Sequence, residues 1–151
     1  MGFDLYGNKA KSEKGEYFRN NIWWWRPLAN YILDTIEIPE NDPDGWHMNG
    51  GYKISARSAE KIAKVLEERI SAGDVKKFER EYREALSCLP KEQCGICNGT
   101  GRRNDERVSG KCNACDGSGK CEAWQTNYPF SEENVKEFAE FCKESGGFKI
   151  Y

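Results

Sequence analysis

Two CxxC pairs with glycine-rich tails constrain this chain more than any other feature of its sequence. Each pair opens a CxxCxGxG unit, CGICNGTG first and CNACDGSG second, and a fourteen-residue arm separates the second cysteine of one pair from the first of the next. Two such pairs supply four soft sulfur ligands, which zinc prefers at tetrahedral corners. The glycines permit the tight chain reversal that brings the sulfurs together. The spacing therefore predicts one zinc ion per chain, held by Cys94, Cys97, Cys112 and Cys115.

Redox-active pairs and disulfides are alternative interpretations of the same cysteines. A thioredoxin-like CxxC pair is expected after a strand and at the start of a helix, whereas glycines follow each pair in this sequence. Disulfides need an oxidising compartment. The first residues, MGFDLYGNKAKSEKG, lack the apolar core of a secretory signal peptide. We therefore expect reduced thiolates in a reducing cytoplasm.

The repeated unit resembles the cysteine-rich module of DnaJ-type chaperones. That module carries four CxxCxGxG units, whereas this chain carries two. The HPD signature of a J-domain is also absent, because the only histidine, His47, lies in the sequence GWHMN. The resemblance therefore implies the geometry of a zinc hairpin and not the activity of a chaperone.

Length and patterning predict a small α+β domain with short paired terminal strands and an inserted zinc hairpin that supplies four cysteine ligands. The core domain is expected to comprise residues 1–91 and 123–151, and the hairpin residues 92–122. Residues 3–6 (FDLY) and 148–151 (FKIY) alternate apolar and polar side chains, which is typical of strands. The formal net charge is only −2, which is unlike a free-standing nucleic-acid binder. No apolar run is long enough to span a membrane.

Capping residues and apolar stripes predict four helices in the core domain. One is expected to start at Pro27, because proline suits a first helical turn and biases the preceding residue away from helix. A second follows Ser55 as N-cap and ends at Gly73, a third follows Asp74 as N-cap, and a fourth follows Ser131 as N-cap. Polar and turn-forming residues predict exposed loops at residues 8–16 and 39–51.

Two segments are candidates for contact with a partner. Three adjacent tryptophans cannot all point into one core, so we expect at least two to be buried and one to be exposed as an interface anchor. The basic arm of the hairpin could contact phosphates, although the simpler interpretation is that its cations offset the negative charge of zinc bound to four thiolates. The candidate partner-binding residues are Trp23, Trp24, Trp25, Arg26, Arg102 and Arg103.

Outside the cysteine units, the sequence resembles a family of small proteins encoded by bacteriophages and prophages. The runs that carry the resemblance are GFDLYG, SEKGEYFRNN, WWWRPL, GYKI and YPFSEENVKEFAEF. It implies a phage setting in the host bacterial cytoplasm, and it assigns no activity to particular residues. Small phage proteins of this kind commonly bind and block a host component. From this resemblance we predict a zinc-binding inhibitor or adaptor that is not an enzyme and that acts by binding a host protein. A component of a host defence system is one such partner.

Two other functions stay open at this point. One is a nucleic-acid-binding regulator that uses the basic arm of the hairpin. The other is an enzyme with a site near His47 and the acidic loop at residues 37–44. No catalytic residue can be named for the latter, because proximity between His47 and a nucleophile is not visible in the sequence.

Overall fold

The computed structural model describes residues 2–151. The helices are α1 (Glu13–Glu16), α2 (Ile22–Thr35), α3 (Pro43–His47), α4 (Ala56–Ser71), α5 (Asp74–Ser87) and α6 (Glu132–Ser145). The strands are β1 (Gly2–Gly7), β2 (Tyr17–Asn21), β3 (Tyr52–Ile54), β4 (Glu92–Gln93), β5 (Arg102–Asn104), β6 (Ser109–Lys111), β7 (Lys120–Cys121) and β8 (Phe148–Ile150). None of the helices formed by residues 2–151 has the length and apolar character that crossing a membrane requires.

Four of the strands form an antiparallel sheet in the order β2-β1-β8-β3. Strand β1 pairs with β2 through a hairpin connection and with β8 from the far end of the chain. The register places Leu5 opposite Phe18 on one side and opposite Ile150 on the other. The α+β class is confirmed, and the two terminal strands pair as the alternation of their side chains predicts.

The chain divides into two compact units. The main unit comprises residues 2–83 and 128–151, and the cysteine unit comprises Glu84–Asn127. Two small antiparallel ribbons, β4 with β7 and β5 with β6, lie in the cysteine unit. The hairpin predicted at residues 92–122 falls inside this unit.

The core of the main unit lies on one face of the four-stranded sheet. Helices α2 and α6 contact β1 and β2, and α4 packs against α6. The inward side chains of β1 are Phe3 and Leu5, both fully buried. Phe3 stacks on Trp25 of α2 with ring centroids 5.5 Å apart, and Phe138 of α6 meets Trp25 edge-on at 5.8 Å. Burial of large aromatic rings dominates the energetics of such a core.

Helix α2 starts five residues before Pro27, so the prediction of a helix beginning at that proline is wrong. The Asn21 side chain caps the helix by accepting hydrogen bonds from the backbone N–H groups of Trp23 and Trp24, at 3.0 and 3.1 Å. These bonds satisfy two N–H groups that have no partner within the helix. Pro27 therefore lies inside the helix, and the cap together with burial of Trp25 and Pro27 compensates for the backbone hydrogen bond that proline removes.

The segments predicted as exposed loops contain short helices that are partly buried. Within residues 8–16, α1 holds Gly15 so close to α6 that a Cβ there would lie 2.2 Å from the carbonyl oxygen of Glu144. Within residues 39–51, α3 carries Trp46, which is fully buried and stacks on Trp25 at 5.8 Å. Both segments are mostly exposed, as the turn-forming residues predict, but each also contains a short helix with one buried residue, Gly15 or Trp46.

The predicted caps of α4 and α6 are confirmed, whereas Asp74 is the first residue of α5 and not its N-cap. The Ser55 hydroxyl accepts from Ser58 N–H at the start of α4, and the Ser131 hydroxyl accepts from Asn134 N–H at the start of α6, both at 3.2 Å. Gly146 ends α6 in the left-handed conformation, with φ of 64°, which a glycine adopts without strain.

We expect Trp25 and Trp23 to differ sharply in their contribution to stability. Trp25 is fully buried and its indole N–H donates to the carbonyl oxygen of Trp46 at 2.8 Å, so Trp25→Ala should lower the free energy of unfolding by about 3–5 kcal/mol. Trp23, on the same helix, is 39% exposed, and Trp23→Ala should cost about 1 kcal/mol or less. Denaturant unfolding of both variants checks this, and equal losses would contradict the division of roles.

Candidate metal centre

Each CxxCxGxG unit folds into a tight turn with the same backbone hydrogen bonds. In the first turn, the carbonyl oxygen of Cys94 accepts from Gly99 N–H at 3.1 Å. In the second, the carbonyl oxygen of Cys112 accepts from Gly117 N–H at 3.0 Å. Both glycines have φ of 80°, in the region that favours glycine. The repeated sequence thus produces a repeated turn, and each turn contributes two cysteine sulfurs to one cluster.

Reciprocal backbone hydrogen bonds join the two turns. Cys94 N–H donates to the carbonyl oxygen of Gly119, and Cys112 N–H donates to that of Gly101, each at 2.9 Å. Each turn therefore supplies a carbonyl acceptor for an N–H group of the other turn, and the two turns make equivalent contacts. The pairing of β4 with β7 and of β5 with β6 continues outward from these bonds.

The last glycine of each unit makes this close approach feasible. A Cβ at Gly101 would lie 2.3 Å from the carbonyl oxygen of Gly117, and a Cβ at Gly119 would lie 2.3 Å from that of Gly99. Real Cβ atoms do not approach backbone atoms this closely, and both positions also have positive φ, 71° and 75°. These two glycines are therefore required by the packing of one turn against the other.

The four sulfurs meet at the centre of this arrangement. The Sγ atoms of Cys94, Cys97, Cys112 and Cys115 all lie within 4.8 Å of one another, and all four residues are buried. Cys97 Sγ and Cys115 Sγ are 3.7 Å apart. Sulfurs about 2.3 Å from a tetrahedral zinc ion are separated by about 3.8 Å, whereas a disulfide requires about 2 Å. The four cysteines can therefore hold a metal ion such as zinc.

Backbone N–H groups point at the sulfurs and favour their ionised form. The N–H of Cys97 is the main reason that the pKa of Cys94 is lowered to about 6. Burial raises the pKa of Cys97, but a hydrogen bond from Gly101 N–H, 3.3 Å from its sulfur, contributes to a net lowering. Burial raises the pKa of Cys115 to about 11, opposed by the matching bond from Gly119 N–H at 3.3 Å. A bound cation would stabilise all four thiolates, since the thiolate is the metal ligand.

A fifth thiol borders the cluster. Cys121 is partly buried and packs against the four ligand candidates, with its sulfur 3.8 Å from the carbonyl oxygen of Ala114. Nothing in the sequence separates it from Cys88 and Cys142, of which the former is exposed and the latter buried in the core of the main unit. Within residues 2–151, no second group of potential metal ligands forms around these cysteines or His47.

Two cations of the basic arm between the two turns form ion pairs with nearby carboxylates. Arg103 forms an ion pair with Asp105 at 2.6 Å and donates to Asn113 Oδ1 at 3.0 Å. Lys111 pairs with Asp116 at 2.6 Å. Arg102 is exposed on β5. These ion pairs to carboxylates neutralise part of the arm's positive charge, and the interpretation that its cations offset the charge of the thiolates stays a prediction.

The tryptophan segment divides between core and surface. Trp25 lies in the core, so its ring does not reach the surface and cannot serve as an anchor for a partner. Trp24 is half-buried, which leaves one fully buried tryptophan where two were expected. Trp23 is exposed and its ring packs against Tyr128 at 5.0 Å, and Arg26 is exposed on the next turn. A surface for a partner can therefore include Trp23 and Arg26.

Glu40 and one ring nitrogen of His47 have hydrogen-bond partners, whereas His47 Nδ1 is buried without one among residues 2–151. His47 Nε2 lies 2.8 Å from Asn30 Oδ1, and burial followed by the nearby charge of Arg26 lowers the pKa of the imidazole. In the acidic loop, the carboxylate of Glu40 accepts from Ser55 N–H at 3.1 Å and from the Ser58 hydroxyl at the start of α4. Burial disfavours the charged form of Glu40, but these hydrogen bonds outweigh it and lower the pKa of its carboxyl.

Comparisons with protein-family models, with curated proteins and with solved structures find no match to this chain. The resemblances to DnaJ-type modules and to phage-encoded proteins therefore remain predictions from the sequence. The function has to be argued from the chain's own residues.

The packing of the two turns predicts which glycines metal binding requires. Gly101→Ala should weaken metal affinity strongly, because the added methyl group would collide with the second turn. Gly95→Ala is the matched control, since a Cβ at Gly95 has open space around it and its φ is not positive. Titration with Co²⁺, followed by its thiolate charge-transfer absorption, measures both. Equal affinities for the two variants would contradict this account of the site.

Proposed function

We propose that this chain is a zinc-stabilised binding protein, in which one zinc ion holds the cysteine unit together and the protein acts by contacting another macromolecule. The observation that carries the proposal is the meeting of four buried cysteine sulfurs within 4.8 Å at the centre of two interlocked turns. Four thiolates and no neutral ligand suit zinc, a borderline-soft ion that takes tetrahedral sulfur coordination.

Such a zinc ion would be structural and not catalytic. Catalytic zinc keeps one position for water or substrate, whereas four cysteines fill every tetrahedral position. The burial of all four residues further opposes access of a substrate. This supports a binding role for the protein over a metal-dependent reaction.

The partner we favour from the sequence is a host protein, which an inhibitor or adaptor would occupy. Trp23 and Arg26 support this, because exposed tryptophan and arginine are enriched among the residues that contribute most to protein interfaces. Arg102, which is exposed on the arm of the cysteine unit, is a separate polar candidate contact, and polar contacts at an interface rim set orientation and add little energy.

Zinc removal provides the direct test. We expect elemental analysis of reduced protein to give one zinc ion per chain, and the double variant Cys94→Ser, Cys97→Ser to give none. The variant should lose the fold of Glu84–Asn127 and keep most of its far-ultraviolet helical signal, because all α-helices except the last turn of α5 lie in the main unit.

Cys88→Ser is the matched control, since Cys88 is an exposed cysteine outside the cluster, and it should retain both the zinc ion and the stability of the parent. Protein without zinc, or with two ions per chain, would refute the proposed stoichiometry. Loss of the whole helical signal in the double variant would show that zinc is needed for the main unit as well.

A further inference from the structure

One face of the four-stranded sheet, the open face, points away from the core and carries side chains that are exposed or half-buried. Side chains alternate between the two faces of a sheet, so residues that point away from the core align in rows across neighbouring strands. The pairings of β1, β8 and their neighbours define one such row. In order across the sheet, it consists of Tyr17, Tyr6, Lys149 and Lys53.

The adjacent row adds a third tyrosine and another cation. Arg19 on β2 stands opposite Asp4 on β1. Asp4 exchanges both backbone hydrogen bonds with Tyr151, at 2.7 and 2.9 Å, so Tyr151 follows in the same row. Tyr6 on β1 and Tyr151, the residue directly after β8, therefore both lie on this face.

The three tyrosines form a continuous exposed cluster. Tyr6, Tyr17 and Tyr151 are 50%, 44% and 42% exposed. The ring centroid of Tyr6 is 5.2 Å from that of Tyr17 and 6.0 Å from that of Tyr151. The rings thus lie within stacking range of one another while each keeps a large part of its surface open to solvent.

Neighbouring residues hold two of these rings in place. The Tyr17 hydroxyl donates to Asp4 Oδ1, a bond that also raises the pKa of the phenol. A Cβ at Gly51 would lie 3.0 Å from the ring of Tyr151, so the absence of a side chain there leaves room for that ring. The hydrogen bond to Asp4 restricts the Tyr17 ring before any ligand binds, which lowers the entropy cost of binding.

Two lysines on this face occupy directly opposed positions on neighbouring strands. Lys53 and Lys149 stand directly opposite each other on β3 and β8, and like charges in that position destabilise a sheet. Among residues 2–151 neither lysine has an ion-pair or hydrogen-bond partner for its side chain. With Arg19 set against Asp4, the face carries a net positive charge on a chain whose formal net charge is −2.

We propose that this face binds single-stranded nucleic acid, with bases stacking on the tyrosines and backbone phosphates lying on Lys53, Lys149 and Arg19. Aromatic platforms combined with cations are the usual means of binding unpaired strands, and four-stranded sheets present them in RNA-binding domains. Lysine is depleted in protein–protein interfaces, so the composition favours a polynucleotide over a protein at this face. The proposal rests on the proposed binding function. It assigns single-stranded nucleic acid as the partner of this sheet face, which is a different surface from the one that includes Trp23.

The direct test is fluorescence anisotropy with labelled oligouridine RNA and oligothymidine DNA, and with a duplex of the same length. We expect one or both single strands to bind more tightly than the duplex, because stacking on the tyrosines needs unpaired bases. The double variant Tyr6→Ala, Tyr151→Ala should weaken binding by about tenfold or more per ring. The matched variant Tyr6→Phe, Tyr151→Phe should retain binding, since stacking does not need the hydroxyl groups.

Salt dependence tests the phosphate contacts separately. Three cations on phosphates of a single strand predict that the logarithm of the affinity falls with the logarithm of salt concentration with a slope of about −2. The double variant Lys53→Gln, Lys149→Gln should reduce the slope to about −0.7. Lys76→Gln, which removes an exposed lysine on α5, should leave the slope unchanged.

The proposal would be overturned if neither single strand bound or if the duplex bound equally well. Equal affinity of the parent and the Tyr→Ala variant, with unchanged thermal unfolding, would also overturn it. A loss confined to Arg102→Gln, Arg103→Gln would overturn it as well and assign the strand to the arm. Zinc content measured on the same samples separates the two proposals. Protein that contains zinc but does not bind single-stranded RNA or DNA would refute only the sheet proposal. Protein that lacks zinc but binds single-stranded RNA or DNA would refute only the zinc proposal.

Discussion

The main unit depends on the hydrogen bonding of β1 along both of its edges. Strand β1 joins the hairpin strand β2 to β8, which lies at the opposite end of the chain. Because side chains alternate, this register sends Phe3 and Leu5 into the core and Tyr6 to the open face. A shift by one residue would exchange the two sets, so the apolar core also fixes which side chains the open face presents. The stability of the core and the composition of the candidate binding surface therefore have one cause.

Helix boundaries could be predicted from the sequence where a local cap decides them. The hydroxyls of Ser55 and Ser131 each satisfy a nearby N–H group, and such a bond involves only three or four consecutive residues. The prediction for the start of α2 is wrong because the Asn21 cap and the burial of Trp25 and Pro27 outweigh the helix-breaking tendency of Pro27. Trp46 shows the same limit, since its burial is determined by Trp25, which lies 21 positions earlier.

The metal centre could be predicted from the sequence and the open face could not, because only the former depends on local spacing. The cysteine spacing is local within each turn, and zinc chemistry requires the two turns to meet, so the four ligand candidates could be named from the sequence. Tyr6 and Tyr151 become neighbours only through pairing of strands from the two ends of the chain. The alternation of each terminal strand was visible in the sequence. Which of its side chains would share a face with Lys53 was not, because that depends on the register of three strands.

The aromatic residues are sorted between core and surface according to their chemistry. Six of the seven phenylalanines are buried, whereas the large aromatics exposed on the open face are all tyrosines. A phenol can leave its ring in water with its hydroxyl solvated or hydrogen-bonded, as the bond from Tyr17 to Asp4 illustrates, so exposure costs a tyrosine less than a phenylalanine. A sheet face that served only as a solvated exterior could carry threonine or charged residues at these positions. Three adjacent rings beside unpaired lysines are instead the arrangement that favours a flat, anionic ligand, and this is the physical basis for assigning the face a binding role.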